Sequence, residues 1–336
     1  MAASAGRLPA EERPGPGGPL TALRRGPRLL VALVAVGLAA GSSGCGGSGG
    51  ASAAEIGDRK VRATTTANFI TDTVRQVGGD RVDVTGLMGP GVDPHLYKAS
   101  AGDVKTLRQA DVVYYGGLDL EGRMADLFVE LAADRTTVPV SGAVPEDRLL
   151  EPEEFQGKFD PHVWFDPTLW EFAAQKVATT LKETDPEHAA GYDERLTAYL
   201  DEFRRVDADC RRLFEPIPER SRVLVTSHDA FNYFGVRYGF QVEAIQGIST
   251  AGEASTADIK RVATLLAERG VGAVFVESSV PRQTIEAVVA AAAQVGQQVV
   301  VGGELFSDAA GNEGTPQGTY PGMLRHNCEL IAAGLS

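Results

Sequence analysis

The chain has 336 residues and a formal net charge of −13, from 45 acidic and 32 basic side chains. No block of Lys or Arg stands outside the N-terminal leader, which argues against a nucleic-acid partner. The acidity suits attraction of cations but does not by itself name one. With three cysteines and no Cys-x-x-Cys spacing, a cysteine zinc site is disfavoured.

Residues 1–22 are rich in Ala, Gly and Pro and show no apolar period. The stretch "LRRGPRLLVALVAVGLAAGSSGC" then combines a basic start (Arg24, Arg25, Arg28), an apolar run from Leu29 to Ala40 and small residues ending at Cys45. That is the build of an export signal, too short for a comfortable transmembrane span. Gly44-Cys45 is the kind of junction where bacterial lipoproteins are cut and lipidated, with Ser42 where a Leu is usual; a cut near Ala40 is the alternative. Arg24-Arg25 raises a twin-arginine route, against which Pro27 argues. We therefore expect a lipoprotein signal over 1–45 and a flexible Gly/Ser/Ala tether over 46–58. Together they would hold an exported body on the outer face of the cytoplasmic membrane through a lipid on Cys45.

The body begins with β-branched runs at 61–66 and 82–88, followed by strand-like "DVVYYGG" (111–117) and "TTVPVSG" (136–142). Between them lie "ANFITDTVRQVGG", "SAGDVKTLRQA" and "MADLFVELAAD", with apolar residues at helical spacing. Such alternation implies βαβ units and a parallel sheet. From Pro167 to about Phe214 the pattern is helical almost throughout, broken near Asp185-Pro186, which suits a stiff connector. The second half repeats the alternation, with strands "RVLVTS", "QVEAIQG", "AVFVESS" and "QQVVVGG" and four further helices. The fold class is thus α/β. It comprises two (β/α)4-type lobes, 59–186 and 215–336, with parallel sheets joined by one long rigid helix over 187–214. A ligand belongs in the interlobe cleft, at the carboxyl ends of the strands. Cys210 and Cys328 both fall in predicted helices far apart in sequence. An exported chain can pair them, but nothing gives their separation, and the expectation leans to two free thiols.

Two of the five histidines sit in nearly the same phrase, "GVDPHLY" (His95) and "KFDPHVW" (His162). Proline restrains its own φ and the residue before it, so each histidine leaves a stiff loop in a set direction. Converging imidazoles need such loops, and each ligating ring usually passes its other N–H to an oxygen. Asp93 and Asp160 could be those acceptors or could simply cap a turn. His228, directly after the strand "RVLVT", supplies a third ring. A tetrahedral site needs a fourth donor, and "GGELFSDAAG" offers Glu304 and Asp308; spacing does not choose between them, and Asp308 would also make a helix cap. His188 and His326 are assigned to structure.

The segments "TSHDAFNYFGVRYGF", "IQGISTAGEAS", "VFVESSVP", "GGELFSDAAG" and "GTYPGMLRHN" together resemble the zinc/manganese solute-binding lipoproteins of ABC transporters, the TroA/ZnuA/PsaA family. The likeness covers about residues 60–335. It implies two lobes joined by a rigid helix with a buried metal between them, held by His95, His162, His228 and Asp308 rather than Glu304. It implies no enzyme, a monomer that captures an ion outside the membrane, and delivery to an ABC permease driven by a cytoplasmic ATPase.

The resemblance also bears on the metal. Members that take manganese often carry Glu where this chain has His228, which leans the expectation to Zn2+. Zinc-dedicated members commonly have a His-rich loop between the first two ligands, and residues 96–161 contain no histidine, which keeps Mn2+ as the second candidate. Release is expected to start at the Asp308 arm or through a small tilt of the lobes. Glu253 and Glu277 are expected to be surface acids near the cleft mouth. The competing classes are a haem- or siderophore-binding protein of the same build, a metallohydrolase with Asp229 as base, and an adhesin. The first wants a broad aromatic or Arg-lined cleft, the second an open coordination position, and nothing marks a docking patch for the third.

Overall fold

The computed structural model describes residues 56–336 except 153, 154 and 156. The expected leader, the lipidation at Cys45 and most of the tether lie outside the described residues.

The first lobe is a parallel sheet of β1 (Val61–Thr65), β2 (Val82–Gly86), β3 (Val112–Tyr115) and β4 (Thr136–Pro139), ordered β2-β1-β3-β4. β1 and β3 are central and almost continuously buried, as strands covered on both faces should be. The covering helices are α1 (Asn68–Gly78), α2 (Ala101–Gln109) and α3 (Ala125–Ala132). α1 buries Phe69, Ile70, Val74 and Val77 on one side. α2 starts at a capping box, Ser100 with Asp103, which satisfies two otherwise orphan backbone donors.

The connector region is two helices, α4 (Pro167–Thr184) and α5 (Ala189–Phe214). The break is where the sequence places it: Pro186 has no N–H to continue α4. There Asp185 accepts from the Tyr192 hydroxyl at 2.7 Å and from His188 Nδ1 at 2.9 Å. α5 has 26 residues and so runs about 39 Å.

The second lobe has β5 (Val223–Thr226), β6 (Gln241–Ala244), β7 (Ala273–Glu277) and β8 (Val300–Leu305), with α6 (Asn232–Tyr238), α7 (Thr256–Arg269), α8 (Gln283–Gln294) and α9 (Tyr320–Leu335). Its ladders are two parallel pairs, β5 with β6 and β7 with β8, with β5 and β7 as neighbours. β8 is displaced from the expected 297–303 and runs on through Gly302 and Gly303. Both glycines read as a strand end, yet they are strand residues against which neighbours pack closely. A Cβ at Gly302 would meet the Phe275 ring at 2.8 Å, and one at Gly303 would meet Leu330 at 2.9 Å.

One hydrophobic core crosses both lobes. Its fully buried members include Phe69, Trp164 and Trp170, Phe203 of α5, Phe231 and Phe234, Phe275 of β7 and Tyr320 of α9. The expectation of free thiols is corrected: Cys210 and Cys328 form a disulfide with Cα atoms 5.4 Å apart. The reason is that α9 returns along α5 and brings the two buried sulfurs together. Among the described residues no helix is long and apolar enough to cross a membrane.

Candidate metal centre

Four loops at the carboxyl ends of strands meet between the lobes. Beyond β2, the chain turns at Gly91, whose φ of +71° suits a residue without a Cβ. It then reaches Asp93-Pro94-His95, where Asp93 Oδ1 accepts the His95 backbone N–H at 2.8 Å. Asp160 does more for His162: its Oδ1 accepts both the backbone N–H at 2.9 Å and ring Nδ1 at 2.7 Å. Its other oxygen accepts from Asn232 of the second lobe at 3.1 Å. The two Asp-Pro-His frames therefore share a backbone turn, but only the second orients its ring through the aspartate.

His228 follows β5 by two residues. Glu277, at the end of β7, accepts from the backbone N–H groups of Ser227 (2.7 Å) and His228 (2.9 Å) and from His228 Nδ1 (2.5 Å). Asp308 follows β8 and is clamped on either side. The carbonyl of Ser307 accepts from the Trp164 indole at 3.0 Å. Ala310 exchanges two hydrogen bonds with the Asn68 side chain, at 2.7 and 2.8 Å.

The four side chains converge. One donor atom from each of His95, His162, His228 and Asp308 lies within 4.8 Å of every other, and all four residues are buried. Asp308 carboxylate oxygens stand 3.8 Å from His95 Nε2, 3.5 Å from His162 Nε2 and 3.3 Å from His228 Nε2. His228 Nε2 and both Asp308 oxygens are buried without a hydrogen-bond partner. Buried polar atoms are costly when unpaired, and three of them facing one point suit a cation. Three imidazole nitrogens and one carboxylate are a donor set for a tetrahedral divalent ion.

The electrostatics agree. Burial holds the His95 ring down at about 3, far below its ordinary 6.5. Burial also opposes charge on His162, but Asp160 and Asp308 outweigh it and lift the ring to about 9. His228 is raised well above its ordinary value because Glu277 and Asp308 overcome the same penalty. Asp308 is held well below the usual carboxylate range: desolvation is overcome by His228 and His162.

The remaining candidates fall elsewhere. Glu304 is exposed on β8 and is not part of the cluster. His188 pairs with Asp185, and His326 packs on Phe306 at 5.0 Å between ring centres. Glu253 is exposed, as expected. Glu277 is not a surface acid: it is 3% exposed and holds His228. The signal for it was an acid ending the wholly apolar run "AVFV", a position that a buried strand leaves to a charge only when the charge is paired.

Residues 63–334 match the family described as "Zinc-uptake complex component A periplasmic" (ZnuA). The chain is 45% identical over 285 residues to the manganese-binding lipoprotein MntA of Bacillus subtilis (strain 168), covering 84% of this chain and 92% of that one. It is 43% identical over 309 residues to the zinc-binding protein TroA of Treponema pallidum (strain Nichols), covering 92% and 98%. The solved structure of the periplasmic zinc-binding protein TroA from Treponema pallidum superposes with a TM-score of 0.81 at 44% identity, over 82% of this chain and 99% of that one. The superposition shows that the two-lobe α/β fold is shared, and the chain belongs to the ZnuA family of metal-binding components of ABC importers.

Proposed function

We propose that this protein captures Zn2+ outside the cytoplasmic membrane, ligated by His95, His162, His228 and Asp308, and hands it to an ABC permease powered by a cytoplasmic ATPase. The observation that carries this reading is the four buried donors within 4.8 Å of one another, with unpaired Nε2 and carboxylate atoms facing inward. The two relatives named above bear different metals in their names at nearly equal identity, so likeness alone does not choose. Three imidazoles suit zinc, and the general affinity order puts zinc above manganese, which supports zinc as first cargo and keeps manganese as the second. Four protein donors leave a tetrahedral ion no open position for a hydrolytic water. Side chains this deeply buried leave no broad cleft for haem or a siderophore. The chain works as a monomer and as a binding protein rather than a catalyst. Its parts are a signal over 1–45 with Cys45 lipidated, a tether over 46–58, lobes over 59–186 and 215–336, and a connecting helix over 187–214.

The test is a competition titration of the chelator-stripped full-length chain with Zn2+ and Mn2+, on wild type and His228→Ala. The expected result is tight one-to-one zinc binding, weaker manganese binding, and a loss of more than about 100-fold in zinc affinity on substitution, since removing even an outer partner of a ligand costs about 10–100-fold. No tight binding of either ion, or an indifferent His228→Ala, overturns the four-donor site. Manganese bound as tightly as zinc overturns the choice of zinc as first cargo.

A further inference from the structure

The four donors are not held alike. The rings of His162 and His228 each donate Nδ1–H to a buried carboxylate, Asp160 and Glu277. Ser307 and Ala310, which flank Asp308, are pinned through their backbones by Trp164 and Asn68 of the first lobe. The His95 ring has no carboxylate behind it. Its polar contacts among the described residues are the facing atoms of the cluster, His162 Nε2 at 3.4 Å and Asp308 Oδ2 at 3.8 Å. What positions His95 is its backbone N–H on Asp93 Oδ1. Asp93 Oδ2 in turn accepts from Thr250 Oγ1 at 2.6 Å. Thr250 belongs to the other lobe, in the loop between β6 and α7. Gly91 brings the same segment under the second lobe, where an added Cβ would stand 3.2 Å from the Ser278 carbonyl oxygen.

We propose that Thr250 is a positioning residue for cation retention: through Asp93 it latches the His95 arm of the first lobe onto the second, and opening this latch is the first step of release. The inference rests on the metal-site reading above. It moves the first step of release from the Asp308 arm or a small lobe tilt, the two expectations from the sequence, to His95. The backbone on both sides of Asp308 is tied to the first lobe by Trp164 and Asn68, whereas the hydrogen bond that ties the His95 segment across the cleft is the single part-buried, charge-assisted one from Thr250 to Asp93. Without the Thr250 hydroxyl, Asp93 is free to turn away from the second lobe and the His95 segment loses its tie across the cleft. The loss falls on the dissociation rate, because most differences among variants of one site do.

Zinc release is timed by rapid mixing of the zinc-loaded full-length chain with excess chelating dye, for wild type, Thr250→Val, Thr250→Ser and Ser249→Ala. Ser249 is the control, since among the described residues its hydroxyl hydrogen-bonds within its own loop, accepting from Ala251 N–H at 3.3 Å. Thr250→Val should release zinc about tenfold faster, the low end for a hydrogen bond to a charged group, with an unchanged association rate. Thr250→Ser should restore wild-type release, and Ser249→Ala should match wild type. Release from Thr250→Val at the wild-type rate, or from Thr250→Ser as fast as from Val, overturns the latch while leaving the site intact. A wild type that takes up no zinc refutes the site itself, and the latch falls with it.

Discussion

Asp160 and Glu277 decide which nitrogen each ring offers. By taking Nδ1–H of His162 and His228 they leave both Nε2 atoms pointing at Asp308. The carboxylates around them favour protonation of both rings against the cost of burial, lifting His162 to about 9 and His228 well above its ordinary value. If the ion is held as proposed, a proton on Nε2 competes with it, so acid should favour the metal-free form and affinity should climb with pH through neutrality toward 9. At pH 7 zinc binding should release about two protons per ion, one from each ring. Calorimetry in two buffers of different ionisation enthalpy measures that number, and a value near zero would mean that the rings are neutral before binding. At this scale the sequence was legible where residue types repeat in a frame: the two Asp-Pro-His phrases and His228 after its strand do meet Asp308. The Glu277 contact was not legible, because it depends on β5 and β7 lying side by side, which no local pattern encodes.

Elements were legible to within a few residues because their signals are local: β-branched runs, apolar residues at helical spacing, Pro186 between α4 and α5. The missed features are contacts between elements distant in sequence. The Cys210–Cys328 disulfide closes a separation of 118 residues and ties the connecting helix to the C-terminal one. Constraining a loop of that length in the unfolded chain stabilises by about 4–5 kcal/mol in the chain-entropy account. For a body of this size that corresponds to roughly 10 °C in melting temperature. Cys210→Ser/Cys328→Ser should therefore melt about that much lower by scanning calorimetry. Zinc affinity should stay close to wild type, because neither cysteine touches the four-donor cluster. A variant that melts like wild type would show that packing of α9 on α5 suffices without the bond.

At the scale of the whole molecule, the two lobes are not hinged bodies. The aromatic core branches from Phe69: through Trp170 and Tyr320 it reaches Phe203, and through Trp164 and Phe165 it reaches Phe231 and Phe234. Asp72 of α1 adds polar ties, accepting from the Tyr199 hydroxyl of α5 and the Tyr320 backbone of α9, both at 2.8 Å. Swinging one lobe away would expose this core, and at roughly 25 cal/mol per Å2 of apolar surface even a modest opening costs more than a weak docking contact returns. A stiff connector was legible in the sequence as a long charged helix; the shared core that makes the stiffness hold was not, since it needs both lobes folded. Metal capture should therefore move loops rather than lobes. Small-angle scattering of the metal-free and zinc-loaded protein should give radii of gyration within about 1 Å of each other, the scale of pre-organised binding. A change of several ångströms would require the Phe203–Tyr320 and Trp164–Ser307 contacts to part, and would replace a loop latch by domain closure as the means of holding the ion.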